Sequence, residues 1–298
     1  MKIIVTHMSP DWDAIGSVWL LKKFLPGWQE ATVKYVPAGT RLEGSTKDSL
    51  DTVIQHYGED EVIHVDTGMG PLDHHQTQDR SVSGTSRTWD YVLAQLQEAG
   101  DALTPEHKEA ISRIVRFIVD TDHFKEVFWP DAAADLHEFS LLGLLEGYKL
   151  IKQNQDSVYM DFGIECLNAM TATFENRIWA EKEIKETGTE FVTRYGKGMA
   201  FETLNDTVLK LSQKMGYVIV IRKDPRKKYV RIKTLPDQEG KKGADLTLLY
   251  EQFRKIDPDA TWFLHVSKKM LLNGSPKNPK MRPTKLSLGD IIKVVERI

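Results

Sequence analysis

The sequence predicts an α/β protein: a parallel sheet covered by helices, followed by a second, smaller α/β domain. Three observations carry this. Short apolar runs at Lys2–Thr6, Thr32–Val36 and Glu61–Val65 are typical of buried parallel strands. Stretches with helical spacing lie between and after them, the order that builds a helix-covered parallel sheet. Beyond about residue 190, closely spaced strand-like runs take over, separated by Gly- and Pro-containing turns.

The elements follow in order. Ile15, Val18, Trp19, Leu21 and Leu25 recur at helical spacing over Ala14–Leu25, and Pro26-Gly27 stops that helix. A helix is expected at Ser49–Tyr57, before the third strand. Ser86–Leu96, Pro105–Val119 and the long stretch Asp131–Lys152 predict further helices, and Asp161–Lys185 a long connector with few breakers. Strands are expected at Glu190–Arg194, Met199–Thr203, Tyr217–Arg222, Tyr229–Thr234 and Thr261–Val266, with helices at Ala244–Ile256 and Leu288–Arg297. The predicted division is therefore 1–190, with the connector at about 161–185, and 191–298.

At 298 residues, with 41% hydrophobic and 28% charged residues, the chain has the composition of a globular protein of one or two domains. No apolar run approaches the ~20 residues that cross a bilayer, so no membrane partner is expected. The opening MKIIVTHMSPDWDA runs directly into a strand without the features of a signal peptide, and a cytoplasmic location is expected. The single cysteine, Cys166, excludes an internal disulfide and a cysteine-rich zinc site. Net charge is −3, so the molecule as a whole is no electrostatic magnet for nucleic acid. Charge is nonetheless uneven: Arg222–Arg231 and Lys268–Lys285 are basic, whereas acidic residues concentrate in the first half. That asymmetry suits an anionic substrate held between the halves, although solvated surface explains the basic runs equally well.

Three polar clusters stand after predicted strands: His7-x3-Asp11-x-Asp13, Asp66 in HVDTG, and Asp73-His74-His75. Each alone reads equally as a helix cap or a turn former. Together they place many carboxylates where strand ends converge, which is strongly unfavourable unless cations neutralise them. Imidazole with carboxylate and no thiolate favours Mn²⁺ or a similar ion over structural zinc. A fourth element ends SRIVRFIVDTDHF. Asp120 follows an apolar helical run and is favoured over Asp122, and His123 is given no ligand role. Gly84-Thr85-Ser86 precedes a helix whose N-terminal N–H groups suit a phosphate, or is simply that helix's cap. Trp12 and Trp89 lie near these motifs, as stacking surfaces for a base or as core.

This set, His7-x3-Asp11-x-Asp13-Ala14-x-Gly16-Ser17, Val65-Asp66, Asp73-His74-His75 and Asp120-Thr121, resembles the four-motif signature of the DHH phosphoesterases. That superfamily takes in RecJ-like exonucleases, nano-RNases, cyclic-dinucleotide phosphodiesterases, exopolyphosphatases and family II inorganic pyrophosphatases. The wording DHHQ, and the tail containing Phe263–Ser267 and Asn273-Gly274-Ser275, are similar to the melanocyte-proliferating-gene branch of DHH-like exonucleases. The glycine-rich GGGH signature of the DHHA1 branch is absent.

The resemblance implies a two-metal hydrolase that cleaves phosphodiester bonds of short nucleic acids or nucleotides with a metal-activated water. A pyrophosphatase or exopolyphosphatase is the enzymatic alternative, and a non-catalytic binding protein of the same fold the other. His7 and Asp11 would hold one ion, Asp13, His74 and Asp120 the second, and Asp66 would bridge them. The ions would be Mn²⁺, with Mg²⁺ or Co²⁺ as substitutes. His75 would act on the substrate and Asp73 would orient His74 or His75. The second domain would bind substrate through Asn273, Gly274, Ser275, Arg282 and Lys285, with Gly84, Thr85 and Ser86 contributing from the first. The expected partner is a short oligonucleotide or a phosphate-containing small molecule, and a homodimer is compatible with the pattern.

Overall fold

The computed structural model describes residues 1–44, 51–240, 242–275 and 277–297. These divide into two compact units, Met1–Glu175 and Asn176–Ile298, each mixed α/β with its own sheet. Among the described residues no helix is long and apolar enough to cross a membrane.

In the first unit, β1 (Lys2–His7), β2 (Thr32–Val36), β3 (Gln55–Tyr57) and β4 (Asp60–His64) form one sheet in the order β2-β1-β4-β3. β1 lies parallel to both β2 and β4, so their C-terminal ends reach one edge together. β3 runs antiparallel to β4, which corrects the helix expected over Ser49–Tyr57. Ser49 and Leu50 lie outside the described residues, and the rest is turn followed by strand. The physical reason is the hairpin: Gly58, at φ +64°, takes the left-handed backbone that a tight turn needs, and pairing with β4 outweighs a weak local helical pattern.

The two faces of β1 separate the cores. Ile4 joins a large cluster with α1 (Trp12–Phe24), α2 (Gly84–Glu98) and α3 (Pro105–Asp122), whereas Ile3 and Val5 meet Val36 and Val62 on the other face. α1 is buried from Trp12 to Leu21, with Ile15, Val18, Trp19, Leu20 and Leu21 in the core and Asp13 turned to the site. Burying side chains the size of Leu20 or Ile15 contributes about 1.5–3 kcal/mol each. Gly16 lets α1 approach its neighbours, since a Cβ there would lie 2.5 Å from Thr85 Oγ1 and 2.9 Å from Ile118 Cδ1.

The single helix expected over Asp131–Lys152 is broken. A 3₁₀ turn at Lys125–Phe128 is followed by α4 (Asp135–Glu138) and α5 (Leu141–Ile151). Ser140 caps α5 by accepting from the Gly143 N–H at 3.3 Å, and a competent N-cap makes two helices as good as one. α6 (Asp156–Glu186) follows.

The division between units falls within α6, earlier than the change of pattern near residue 190. The cause is packing: Ala180 and Ile184 belong to a cluster with Met199, Phe201, Val208 and Leu209. The second unit adds β5 (Thr189–Thr193), β6 (Gly196–Glu202), α7 (Thr207–Lys214), β7 (Ile219–Lys223), β8 (Val230–Thr234), α8 (Thr247–Ile256), β9 (Phe263–Leu264), β10 (Met270–Asn273) and α9 (Leu288–Val295). Its strand order is β5-β6-β7-β8-β10-β9, antiparallel except for β6-β7, which α7 connects. Neither α7 nor β10 was expected, and the strand predicted over Thr261–Val266 shortens to two residues.

Candidate metal centre

The polar clusters at His7–Asp13, Asp66 and Asp73–His75 follow the C-terminal ends of β1 and β4 in the first sheet, where ligand sites form in such folds. His7 ends β1. Its Nδ1–H donates to the Met8 carbonyl at 2.8 Å, which leaves Nε2 facing Asp66 Oδ2 at 3.2 Å and Asp11 Oδ1 at 3.8 Å. A backbone acceptor that fixes the tautomer is how metal-binding imidazoles are usually oriented. Asp11 is the N-cap of α1, accepting from the Asp13 and Ala14 N–H groups at 3.0 Å each. Asp66 follows β4 at φ +50°, a left-handed turn that Asp tolerates.

Asp13 is held by α2. Its carboxylate accepts from the Gly84 N–H at 2.6 Å and the Thr85 N–H at 2.8 Å. This corrects the phosphate role of Gly84, Thr85 and Ser86. The helix N-terminus does receive an anion, but the anion is the protein's own carboxylate. Ser86 is engaged in a capping box with Ser83, and Thr85 is buried. Gly84 is needed there because a Cβ would lie 2.9 Å from both Asp13 Oδ2 and Asp66 Cβ.

His74 Nε2 is the focus of the site. It lies 3.5 Å from Asp13 Oδ2, 3.5 Å from Asp66 Oδ1 and 3.5 Å from Asp122 Oδ2. His74 Nε2, Asp66 Oδ1 and Asp122 Oδ2 are buried without a hydrogen-bond partner among the described residues. Buried polar atoms left so in a protein call for an ion or water. The fourth-motif carboxylate that faces His74 is therefore Asp122, not Asp120. Asp120 is half exposed and pairs with Lys125 at 2.6 Å.

His123 supports the site from the side: its Nε2–H donates to the Val82 carbonyl at 2.9 Å and its ring meets His74 edge-on. Asp73 is buried and accepts from His75 Nδ1–H at 2.6 Å and from the Met69 N–H at 2.7 Å, so it orients His75. The His75 side chain is 55% exposed, open to a substrate.

The electrostatics match a site built for cations. Burial pushes the Asp13 carboxyl well up, helped by the charges of Asp66 and Asp122, and burial with Asp66 and Asp11 raises Asp122. Asp66 above all, then Asp122 and Asp13, overcome burial and lift His74 to about 9. Burial works against a charged His7, but Asp11 and Asp66 more than offset it and raise its pKa to about 11.

No family model matches the chain, and no curated protein matches it. Three groups of ligand atoms, each within 4.8 Å of one another, are His7-Asp11-Asp66, Asp66-His74-His75 and His74-Asp122-His123. Carboxylates with imidazoles could hold a divalent ion, and Asp66 is common to two of the groups.

In the second unit, Gly274 and Ser275 line a cavity of about 250 Å³ together with Arg222, Lys227, Tyr229 and Arg231. Those cations were visible only as a basic run. Asn273 is no ligand group: it is fully buried, donating to the Thr261 and Arg282 carbonyls at 2.9 and 3.0 Å and accepting from the Thr284 N–H at 2.6 Å. Arg282 and Lys285 are exposed and do not line this cavity.

Proposed function

We propose that this chain is a two-metal phosphoesterase of the DHH type that hydrolyses phosphodiester bonds in short nucleic acids or nucleotides, with Mn²⁺ as its resident ion. The observation that supports it most is the unpartnered His74 Nε2 at equal distance from three carboxylates. His7, Asp11 and Asp66 would hold one ion, and Asp13, His74 and Asp122 the other, with Asp66 common to both. Such ions supply Lewis-acid charge to a phosphoryl group and acidify water.

The remaining chemistry belongs to the side chains. Asp73 holds the proton of His75 on Nδ1, leaving Nε2 to deliver a proton to the departing oxygen. His75→Ala should lower kcat by about 10²–10⁴-fold while two Mn²⁺ still bind in calorimetry; unchanged turnover would remove His75 from the reaction.

The direct test is turnover of dinucleotides against pyrophosphate with Mn²⁺. Release of mononucleotides is expected. Cleavage of pyrophosphate alone would replace this reading with the pyrophosphatase one.

A further inference from the structure

We propose that Arg41 is a positioning residue of the site: it fixes the Gly68–Met69 peptide, whose N–H orients Asp73 and, through Asp73, His75. The role of His75 in this rests on the phosphoesterase reading above, and Arg41 belongs to none of the sequence motifs.

The backbone between β4 and Asp73 holds a conformation that needs support. Asp66, Gly68 and Met69 have φ of +50°, +78° and +58°, left-handed values that are uncommon for residues with a side chain. Such backbone persists only where surrounding contacts over-determine it. Two hydrogen bonds close the turn on itself, from the Asp66 N–H to the Leu72 carbonyl at 3.0 Å and from the Asp73 N–H to the Gly70 carbonyl at 3.1 Å. Two more come from the segment after β2. The Thr67 hydroxyl donates to the Thr40 carbonyl at 3.0 Å, and Arg41 Nη1–H donates to the Gly68 carbonyl at 2.6 Å.

The Gly68 carbonyl and the Met69 N–H are two ends of one planar peptide unit. Arg41 holds its oxygen, and its N–H donates to Asp73 Oδ2 at 2.7 Å. The other carboxylate oxygen, Asp73 Oδ1, accepts from His75 Nδ1–H at 2.6 Å and from the His75 backbone N–H at 3.1 Å. A guanidinium, a peptide, a carboxylate and an imidazole thus stand in series, and each bond polarises the next. Rotation of that peptide would withdraw its N–H from Asp73 and loosen the carboxylate that holds His75.

The fork of Arg41 suits this task. Its Nη2–H donates at 2.5 Å to Oε1 of Gln55, a β3 residue only 2% exposed, while Nη1 reaches Gly68. The next residue, Leu42, is tied by its N–H to buried His64 at 3.1 Å, so the Arg41 side chain is anchored at both ends. A lysine offers a single point of charge and cannot span Gln55 and Gly68 in this way. Gly68 is matched to the fork, because a Cβ there would lie 2.9 Å from Arg41 Cγ.

The test is Arg41→Lys in the full chain, read by turnover and by amide exchange. With saturating Mn²⁺ and a dinucleotide, kcat should fall about 10–100-fold and KM should change less than about twofold, as when a reacting group is slightly misplaced. Combined with His75→Ala, Arg41→Lys should lower kcat no further than His75→Ala alone, since Arg41 acts through His75. A further fall would mean a general structural role and overturn the proposal. Independently of turnover, exchange followed by NMR should quicken about tenfold at Met69, the loss of one hydrogen bond. It should stay unchanged at Val65, whose N–H donates to the Val5 carbonyl at 2.9 Å. Unaltered exchange at Met69 would overturn the proposal. Should Arg41→Lys not fold, Gln55→Met removes the Nη2 acceptor at similar volume; faster exchange at Met69 is expected there, and none would again overturn it. If Met69 responds but the unaltered chain cleaves no dinucleotide, the positioning role stands and the phosphoesterase reading fails. If dinucleotides are cleaved and neither readout moves, that reading stands without Arg41.

Discussion

Asp120 and Asp122 show how much one turn of helix decides. Two positions along α3 rotate a side chain by about 200°, so one carboxylate meets His74 while the other pairs with Lys125 in solvent. Asp122→Asn should weaken Mn²⁺ binding by about tenfold or more, as loss of a contact to the ion does, whereas Asp120→Asn should change it less than about twofold, since an exposed ion pair is worth little. Calorimetry on the two variants decides, and the reverse order would restore Asp120 as the ligand.

His64 is a second residue-scale case. It is buried, its Nε2 accepts from the Leu42 N–H at 3.1 Å, and burial together with Arg41 lowers its pKa to about 3. Above pH 6.5 neither state holds the proton; below it the unfolded chain binds one that the folded chain refuses. The contribution is therefore intact at neutral pH and is lost as pH falls towards 3, amounting to about 2 kcal/mol at pH 5. His64→Gln keeps an acceptor for Leu42 and should remove that share of the acid sensitivity in urea midpoints at pH 7 and 5.

At the scale of elements, the N-terminus of α2 is the joint of the site. It presents Gly84 and Thr85 N–H groups to Asp13, and α1 in turn carries Asp13 and the Asp11 cap. Gly84→Ala would push a methyl against Asp13 and Asp66. Overpacking of this kind costs about 1–3 kcal/mol, and here it should also weaken Mn²⁺ binding; full metal affinity in the variant would show that the joint yields without disturbing the ligands. The motif Gly-Thr-Ser was legible as a helix start with an anion at it. Which anion was not, because Asp13 lies 71 residues away in the chain. The broken helix between α3 and α6 is a similar case. Its apolar periodicity reads continuously, yet Phe128 and Phe139 are 85% and 97% exposed, so that periodicity does not mark a core-facing stripe.

For the whole molecule, the two-metal reading makes metal and proton competitors for one cluster. His74 and His7 have pKa values raised above 6.5, so the stability they contribute to the metal-free protein is complete below pH 6.5 and is lost as pH rises through about 9 and about 11. On the two-metal reading, divalent ions would displace those protons, and binding is expected to strengthen as pH rises. At a hundredfold excess over Kd an ion adds about 2.7 kcal/mol, or a rise in Tm of about 5–10 °C for a domain of this size. Calorimetric scans with Mn²⁺ and with EDTA should show a larger difference at pH 8 than at pH 6. An equal difference at both would mean that these histidines are not what the ion displaces.

The sequence by itself determined the α/β class, the strands β1, β2 and β4, and the motif residues His7, Asp11, Asp13, Asp66, Asp73, His74 and His75. These are local signals: apolar runs, caps and polar residues at strand ends are written in neighbouring positions. Only the tertiary structure decided that Asp122 rather than Asp120 turns inwards, that Asp73 serves His75, and that α2 spends its N-terminus on Asp13. It alone brought Arg41 to the Gly68 carbonyl. Those outcomes depend on helix phase and on contacts between residues far apart in the chain, where packing rather than local preference sets the geometry.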